Sequence, residues 1–252
     1  MKTVKNTLWI LFVAFGTMVA SAQTAEEIID NYFENTGGKE AWQNIEGMKM
    51  SGKAEFGPQS FDFTQTMMSD GKMLTEVSLQ GQTFIPQAFD GKQMWGMNMQ
   101  TMQPEAQDAE TTENYKKNEA QEFPDPFLNY TENGYALELL GEEVIEGVNT
   151  YKIKLTKNKV SVDGVEEDNF TTYYFDAENF VPIISESTIN SGPQKGTTVQ
   201  TVYSDYQEAG DIFYPYTITM KFGGQVGQVI KIESIDVNPD VSEVNFSMPT
   251  KE

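Results

Sequence analysis

The chain has 252 residues, 38 acidic against 17 basic side chains, a formal net charge of −21, and no histidine, cysteine or arginine. Those absences exclude disulfides, thiol chemistry, imidazole-based triads, histidine zinc sites and arginine phosphate clamps. The acidity, dispersed along the chain, repels nucleic acid and anionic membrane.

Carboxylate pairs are the one common catalytic device left, and the composition calls for no cofactor and no metal. Glu166, Glu167 and Asp168 lack the glycine and the alternating acids of a calcium loop and read as a solvated turn.

Lys2 and Lys5 precede an apolar run over residues 8–19 that ends in Ala20, Ser21 and Ala22. This pattern predicts a secretory signal peptide over 1–22, cut before Gln23; its apolar run is too short to span a bilayer with ease. Residues 23–252 are then expected to form a single exported domain, placed in the periplasm of a bacterium with two membranes. Aromatic content of 12 % argues for a real core.

Thr24 and Glu27 have the spacing of a capping box, and Ile28, Ile29, Tyr32 and Phe33 repeat on one helical face. A helix is predicted from about Ala25 to Asn35. Gly37 and Gly38 end it, since glycine takes a left-handed terminal conformation at little cost, and a short turn through Ala41 and Trp42 follows. From Gly47 the period changes to two, with Met48, Met50, Gly52, Ala54 and Phe56 on one face of a half-buried strand. Further strands are predicted over 61–68, 72–79, 83–89 and 92–100, with Asp70-Gly71 and Asp90-Gly91 at reversals.

Seven of the thirteen methionines fall within residues 67–102. Methionine is unbranched and polarizable, and it suits surfaces that adapt to variable apolar shapes. Phe61, Phe63 and Met67 share one face of their strand, and Trp95, Met97 and Met99 one face of theirs. Together they are the candidate wall of an apolar ligand cavity, with Ile28, Tyr32 and Phe33 as the helix face that covers it. The competing reading is plain core packing. Met68, Met94 and Met102 fall on the opposite face of those strands and need separate cover, for which residues 123–130 are the candidate.

Residues 101–122 are polar and break the strand pattern, as either a disordered surface loop or a movable flap. Residues 123–130 form an apolar knot, predicted as a short helix beginning at the prolines and closing one mouth of the sheet. Strands resume over 135–145, 150–157, 169–176, 181–190, 197–206, 213–222 and 228–238, with Asp163-Gly164 as another hairpin tip. About eleven strands after one helix indicate a mainly β fold with a large antiparallel sheet, which must curl strongly or close to bury its inner face.

The order of landmarks resembles bacterial LolA-like proteins: a signal peptide, a first helix ending in Gly37 Gly38, the strand around Met48 to Phe56, and Phe89 Asp90 Gly91 Lys92 leading to Trp95. Leu140 Gly141 Glu142 Glu143, the stretch GVNTYKIKL at 147–155, Tyr174 Phe175 Asp176, Ser204 Asp205 Tyr206, Phe213 Tyr214 Pro215 and the closing Asn245, Phe246 and Pro249 extend it over nearly all of the mature chain. The resemblance implies an incomplete barrel of about eleven antiparallel strands, covered by the N-terminal helix and short lid helices, around an apolar cavity. It further implies a non-enzymatic periplasmic carrier or binding protein for lipoprotein acyl chains or other lipids, a monomer loaded by a membrane-embedded donor complex. Carriers of the family typically tie their lid helices shut with an arginine on the sheet, which this chain lacks; it also lacks the lipid anchor of the receptor member. Two alternatives stay open: an envelope interaction module with a filled core, and a carboxylate hydrolase with an acid pair in a cleft.

Overall fold

The first helix begins where the chain can cap it. In the computed structural model, which describes residues 23–249, the Thr24 hydroxyl accepts from the Glu27 amide while Glu27 accepts from the Thr24 amide, and α1 runs over Ala25–Asn35. The signal peptide expected over 1–22 lies outside the described residues. Gly37 turns the chain at φ 117°, where a Cβ would overlap the Asp211 carbonyl oxygen. The short α2 (Lys39–Gln43) follows, and its Trp42 indole N–H is satisfied by the Thr36 hydroxyl at 3.1 Å.

Among the described residues the strands then run β1 (Gly47–Phe56), β2 (Gln59–Met68), β3 (Met73–Leu79), β4 (Gln82–Phe89), β5 (Met94–Met97) and β6 (Pro104–Ala106). Helix α3 (Ala109–Lys117) and a 3-10 turn over Glu119–Gln121 lead into an irregular segment. The second half comprises β7 (Ala136–Ile145), β8 (Val148–Thr156), a small hairpin of β9 (Val160–Val162) and β10 (Val165–Glu167), then β11 (Phe170–Asp176), β12 (Pro182–Thr188), β13 (Thr198–Ala209), β14 (Ile212–Phe222) and β15 (Gln225–Val237). The large sheet holds thirteen of these strands, all antiparallel, in the order β6-β5-β4-β3-β2-β1-β15-β14-β13-β12-β11-β8-β7. Its ends are β6 and β7, so the sheet does not close into a barrel.

It curls instead around α1. Met50 and Phe63 from one wing and Ile153, Tyr173 and Phe175 from the other join Ile28, Tyr32 and Phe33 in a single buried cluster. The sheet's concave face is the one that carries these residues. At the reversals the aspartates work through their side chains: Asp70 accepts from the Lys72 amide at 3.1 Å and Asp90 from the Lys92 and Gln93 amides at 2.8 Å, while Gly71 and Gly91 take the positive φ.

Three segments differ from the sequence expectation. The strand predicted over 92–100 stops at Met97, because Asn98 accepts from the Gln100 and Thr101 amides and folds the chain into a turn. Residues 101–122 are not a disordered loop: they hold β6, α3 and the 3-10 turn, Asp108 caps α3 by accepting from the Thr111 amide at 2.6 Å, and Lys116 and Lys117 sit in its last turn, where cations complement the helix dipole. The knot at 123–130 is a run of turns rather than a helix. Asp125 accepts from the Phe127 amide at 2.8 Å, which drives the Phe127 ring inward to 1 % exposure.

Candidate ligand-binding site

Residues directly opposite each other in an antiparallel pair share a face. Across five neighbouring strands the register places Tyr203, Ile218, Ile230, Ala54 and Phe61 in one row. Ala54 belongs to the cluster around α1, so the row lies on the concave face. Ala54 is buried and the other four are half-buried. Four strand spacings make the row about 19 Å wide. It is an apolar furrow that α1 leaves partly uncovered.

The same register sorts the methionines. Met67 faces Met73, Met73 faces Phe89, and Phe89 faces Met94. These four therefore point inward, where the Tyr115 ring of α3 covers them with its centroid 4.9 Å from that of Phe89. Leu74 faces Ala88 and Ala88 faces Trp95, so Trp95 points to the convex face. There the C-terminal segment covers it, and the Trp95 indole N–H donates to the Phe246 carbonyl at 2.8 Å.

The two sets named from sequence thus lie on opposite faces of the sheet. Phe61, Phe63 and Met67 turn inward; Trp95 and Met97 turn outward, and Met97 Sδ accepts from the Ile85 amide at 3.3 Å. Met99 lies beyond the strand, 75 % exposed. Ile28, Tyr32 and Phe33 do face the concave surface as expected, buried against it. Of the opposite-face methionines, Met94 is inward under Tyr115 and Met68 is outward beside Val244 and Phe246; neither is covered by residues 123–130.

At one end of the concave face is a cavity of about 290 Å3. Met67 and Tyr32 belong to its wall, and so do Tyr173, Tyr203, Tyr206 and Tyr214. Tyr203 belongs to both the furrow and the cavity wall, so the two meet at that residue. The segment with Phe123, Pro124, Asp125, Pro126 and Phe127 plugs the cavity's remaining side. Phe127 packs its ring edge-on against Tyr173 and Phe175, with centroids 4.8 and 5.4 Å away.

Several polar atoms in this space are tied off. The Tyr32 hydroxyl donates to Asp125 Oδ2 at 2.9 Å and so joins α1 to the plug. The Tyr206 hydroxyl donates to the Pro182 carbonyl at 2.7 Å, and Tyr203 and Ser185 share a hydrogen bond of 2.9 Å. Burial pushes the Asp125 carboxyl up to about 7, and burial likewise holds the Tyr32 and Tyr173 hydroxyls well above the ordinary tyrosine value. Glu122, also in the wall, is paired with Lys157 at 2.9 Å. Of the acids weighed against a calcium loop, Glu166 and Glu167 lie in β10 rather than in a turn, Glu167 pairs with Lys195, and Asp168 lies 3.6 Å from Lys159.

Sequence reasoning missed the strand tyrosines Tyr173, Tyr203, Tyr206 and Tyr214 and the Tyr32–Asp125 tie. A signal for the former was present: Tyr214, Tyr216, Ile218 and Met220 alternate with Phe213, Pro215, Thr217 and Thr219, which puts the first set on one face of a strand. The aspartate carried no such signal.

An open antiparallel sheet curled around a helix, with an apolar concave face, defines the LolA-like half-barrel, and this chain has that fold. It is similar to a LolA superfamily protein from Nitrosomonas europaea, with 15 % identity over 90 % of this chain and 98 % of that one and a TM-score of 0.55. It is similar also to a DUF1329 family protein from Desulfovibrio piger, at 10 % identity over 90 % and 98 % of the two chains with a TM-score of 0.56. A third likeness is to a domain from Vibrio parahaemolyticus ascribed to outer membrane lipoprotein sorting, at 10 % identity over 88 % and 95 % with a TM-score of 0.55. No family model matches the chain, and no curated protein matches it.

Proposed function

We propose that this protein is a non-enzymatic carrier or binding protein that holds the acyl chains of a lipid or lipoprotein on its concave face, in the periplasm. The observation that carries the proposal is that the apolar furrow and the tyrosine-walled cavity meet at Tyr203. The cavity alone, at about 290 Å3, is at the small end of ligand sites. A long chain would extend from it along the 61–203 row, or displace the plug at 123–127. The signal peptide expected over 1–22 and the half-barrel fold support the compartment, and the fold supports acyl cargo.

Displacement of a hydrophobic fluorescent dye by a series of fatty acids tests the reading. Each buried methylene contributes about 0.8 kcal/mol, so affinity rises about fourfold per carbon until the chain outgrows the furrow. Affinity independent of chain length, or no dye uptake, contradicts it. Glu122 and Asp125 do share one cavity, as a carboxylate hydrolase would require. Both are engaged, however, Glu122 with Lys157 and Asp125 with Tyr32 and the Phe127 amide, and that favours binding over turnover.

A further inference from the structure

A second cavity, of about 330 Å3, opens on the far side of the Glu122–Lys157 pair. The two spaces share a wall: Glu122 lines the tyrosine cavity, Lys157 lines the second, and Glu119 lines both. The Lys157 side chain is only 12 % exposed, so the ion pair is part of a largely buried wall, and the two spaces meet beside it at the exposed Glu119. Chemically the two sides differ: the first is mostly aromatic rings and prolines with Glu119, Glu122 and Asp125 in its wall, and the second is mostly hydroxyls and amides.

Two of the three charged side chains of the second cavity are already committed, and the third, Glu119, is acidic and lies where the two spaces meet. Glu110 accepts from the Ser161 hydroxyl and the Gly164 amide through one oxygen, at 2.7 and 2.8 Å, and from the Asp163 amide through the other at 2.9 Å. Lys157 is held by Glu122 at 2.9 Å. Against them stand Ser187, Thr188, Asn190 and Ser191, whose side chains enter no hydrogen bond with another described residue. An anionic head group would meet two carboxylates and a lysine that is already neutralised, and its desolvation would be offset by no free cation among the described residues that line the cavity. A hydroxylated, uncharged group would find donors and acceptors on one wall.

We propose that the polar cavity is the head-group subsite of an amphiphile whose chain lies in the tyrosine cavity, and that the head group it takes is uncharged and rich in hydroxyls, such as a sugar or glycerol. The inference rests on the acyl-binding reading above. It adds the chemical class of the cargo and a pair of adjoining subsites.

Competition against a bound hydrophobic dye, at concentrations below micelle formation, tests it with probes that share a twelve-carbon chain: dodecanol, dodecyl glucoside, dodecanoate, dodecyl phosphate and dodecyltrimethylammonium. The glucoside is expected to bind at least tenfold more tightly than dodecanoate or the phosphate and more tightly than the cationic probe. Asn190→Ala and, separately, Ser187→Ala should each weaken glucoside binding several-fold and leave dodecanol unchanged. Both sites border the cavity and neither is in the hydrophobic core. Dodecanol binding with no advantage for the glucoside, or a preference for a charged probe, overturns the head-group assignment alone. Failure of dodecanol itself to displace the dye overturns the acyl-binding reading and this inference with it.

Discussion

Asp125 is the residue at which the site meets pH. Its carboxyl sits in the cavity wall, and burial raises it to about 7 from the ordinary aspartate value of about 3.9. In that interval the folded chain holds a proton that the unfolded chain has released, so stability falls as pH rises from about 4 to about 7 and changes no further above that. Asp125→Asn keeps an acceptor for the Phe127 amide and removes the titration. The variant should therefore lose that part of the slope and be more stable than the parent at pH 8, as read from denaturation midpoints at pH 5 and pH 8; an unchanged slope contradicts the assignment. Nothing in the sequence marks this one acid among 38, because its importance comes from a tyrosine 93 positions away that the fold brings to 2.9 Å. Met99 shows the opposite case. Its alternation with Trp95 and Met97 looks like strand, and the side chain of Asn98, one residue earlier, ends the strand before it is reached.

Helices and strands with strong local signals were legible. The Thr24 capping box, the Gly37 stop and the period-two stretch from Gly47 appear where the pattern puts them, since each depends on neighbours in sequence. The facing of β5 was not legible, because a four-residue strand contains both an inward Met94 and an outward Trp95, and only pairing with β4 decides between them. The outward face is made habitable by Phe246, a residue 151 positions from Trp95. The plug at 123–127 is held by Phe127 more than by regular structure, with its ring among Tyr32, Tyr173 and Phe175. Phe127→Ala should cost about 3–5 kcal/mol of stability, the usual range for emptying a buried phenylalanine site. It should also raise hydrophobic dye uptake several-fold by loosening the plug. A loss below about 1 kcal/mol in urea denaturation, with unchanged dye uptake, contradicts the plug's role.

For the molecule as a whole, the sequence reveals a large antiparallel sheet too extensive to bury itself flat, and the structure answers with a curl around α1 and two unpaired edges. What fills the interior decides the function. The core near α1 is closely packed, with Ile28 and Phe33 at 0 % and 1 % exposure, as the filled-module alternative requires. The furrow and the cavity lie beside it. The most direct test of whether that space holds cargo is native mass spectrometry of the protein released, without detergent, from the periplasm of the cells that export it. A single amphiphile adduct per chain, removed by delipidation and restored on incubation with lipid, is the predicted result. The bare polypeptide mass before and after such incubation contradicts the acyl-binding account.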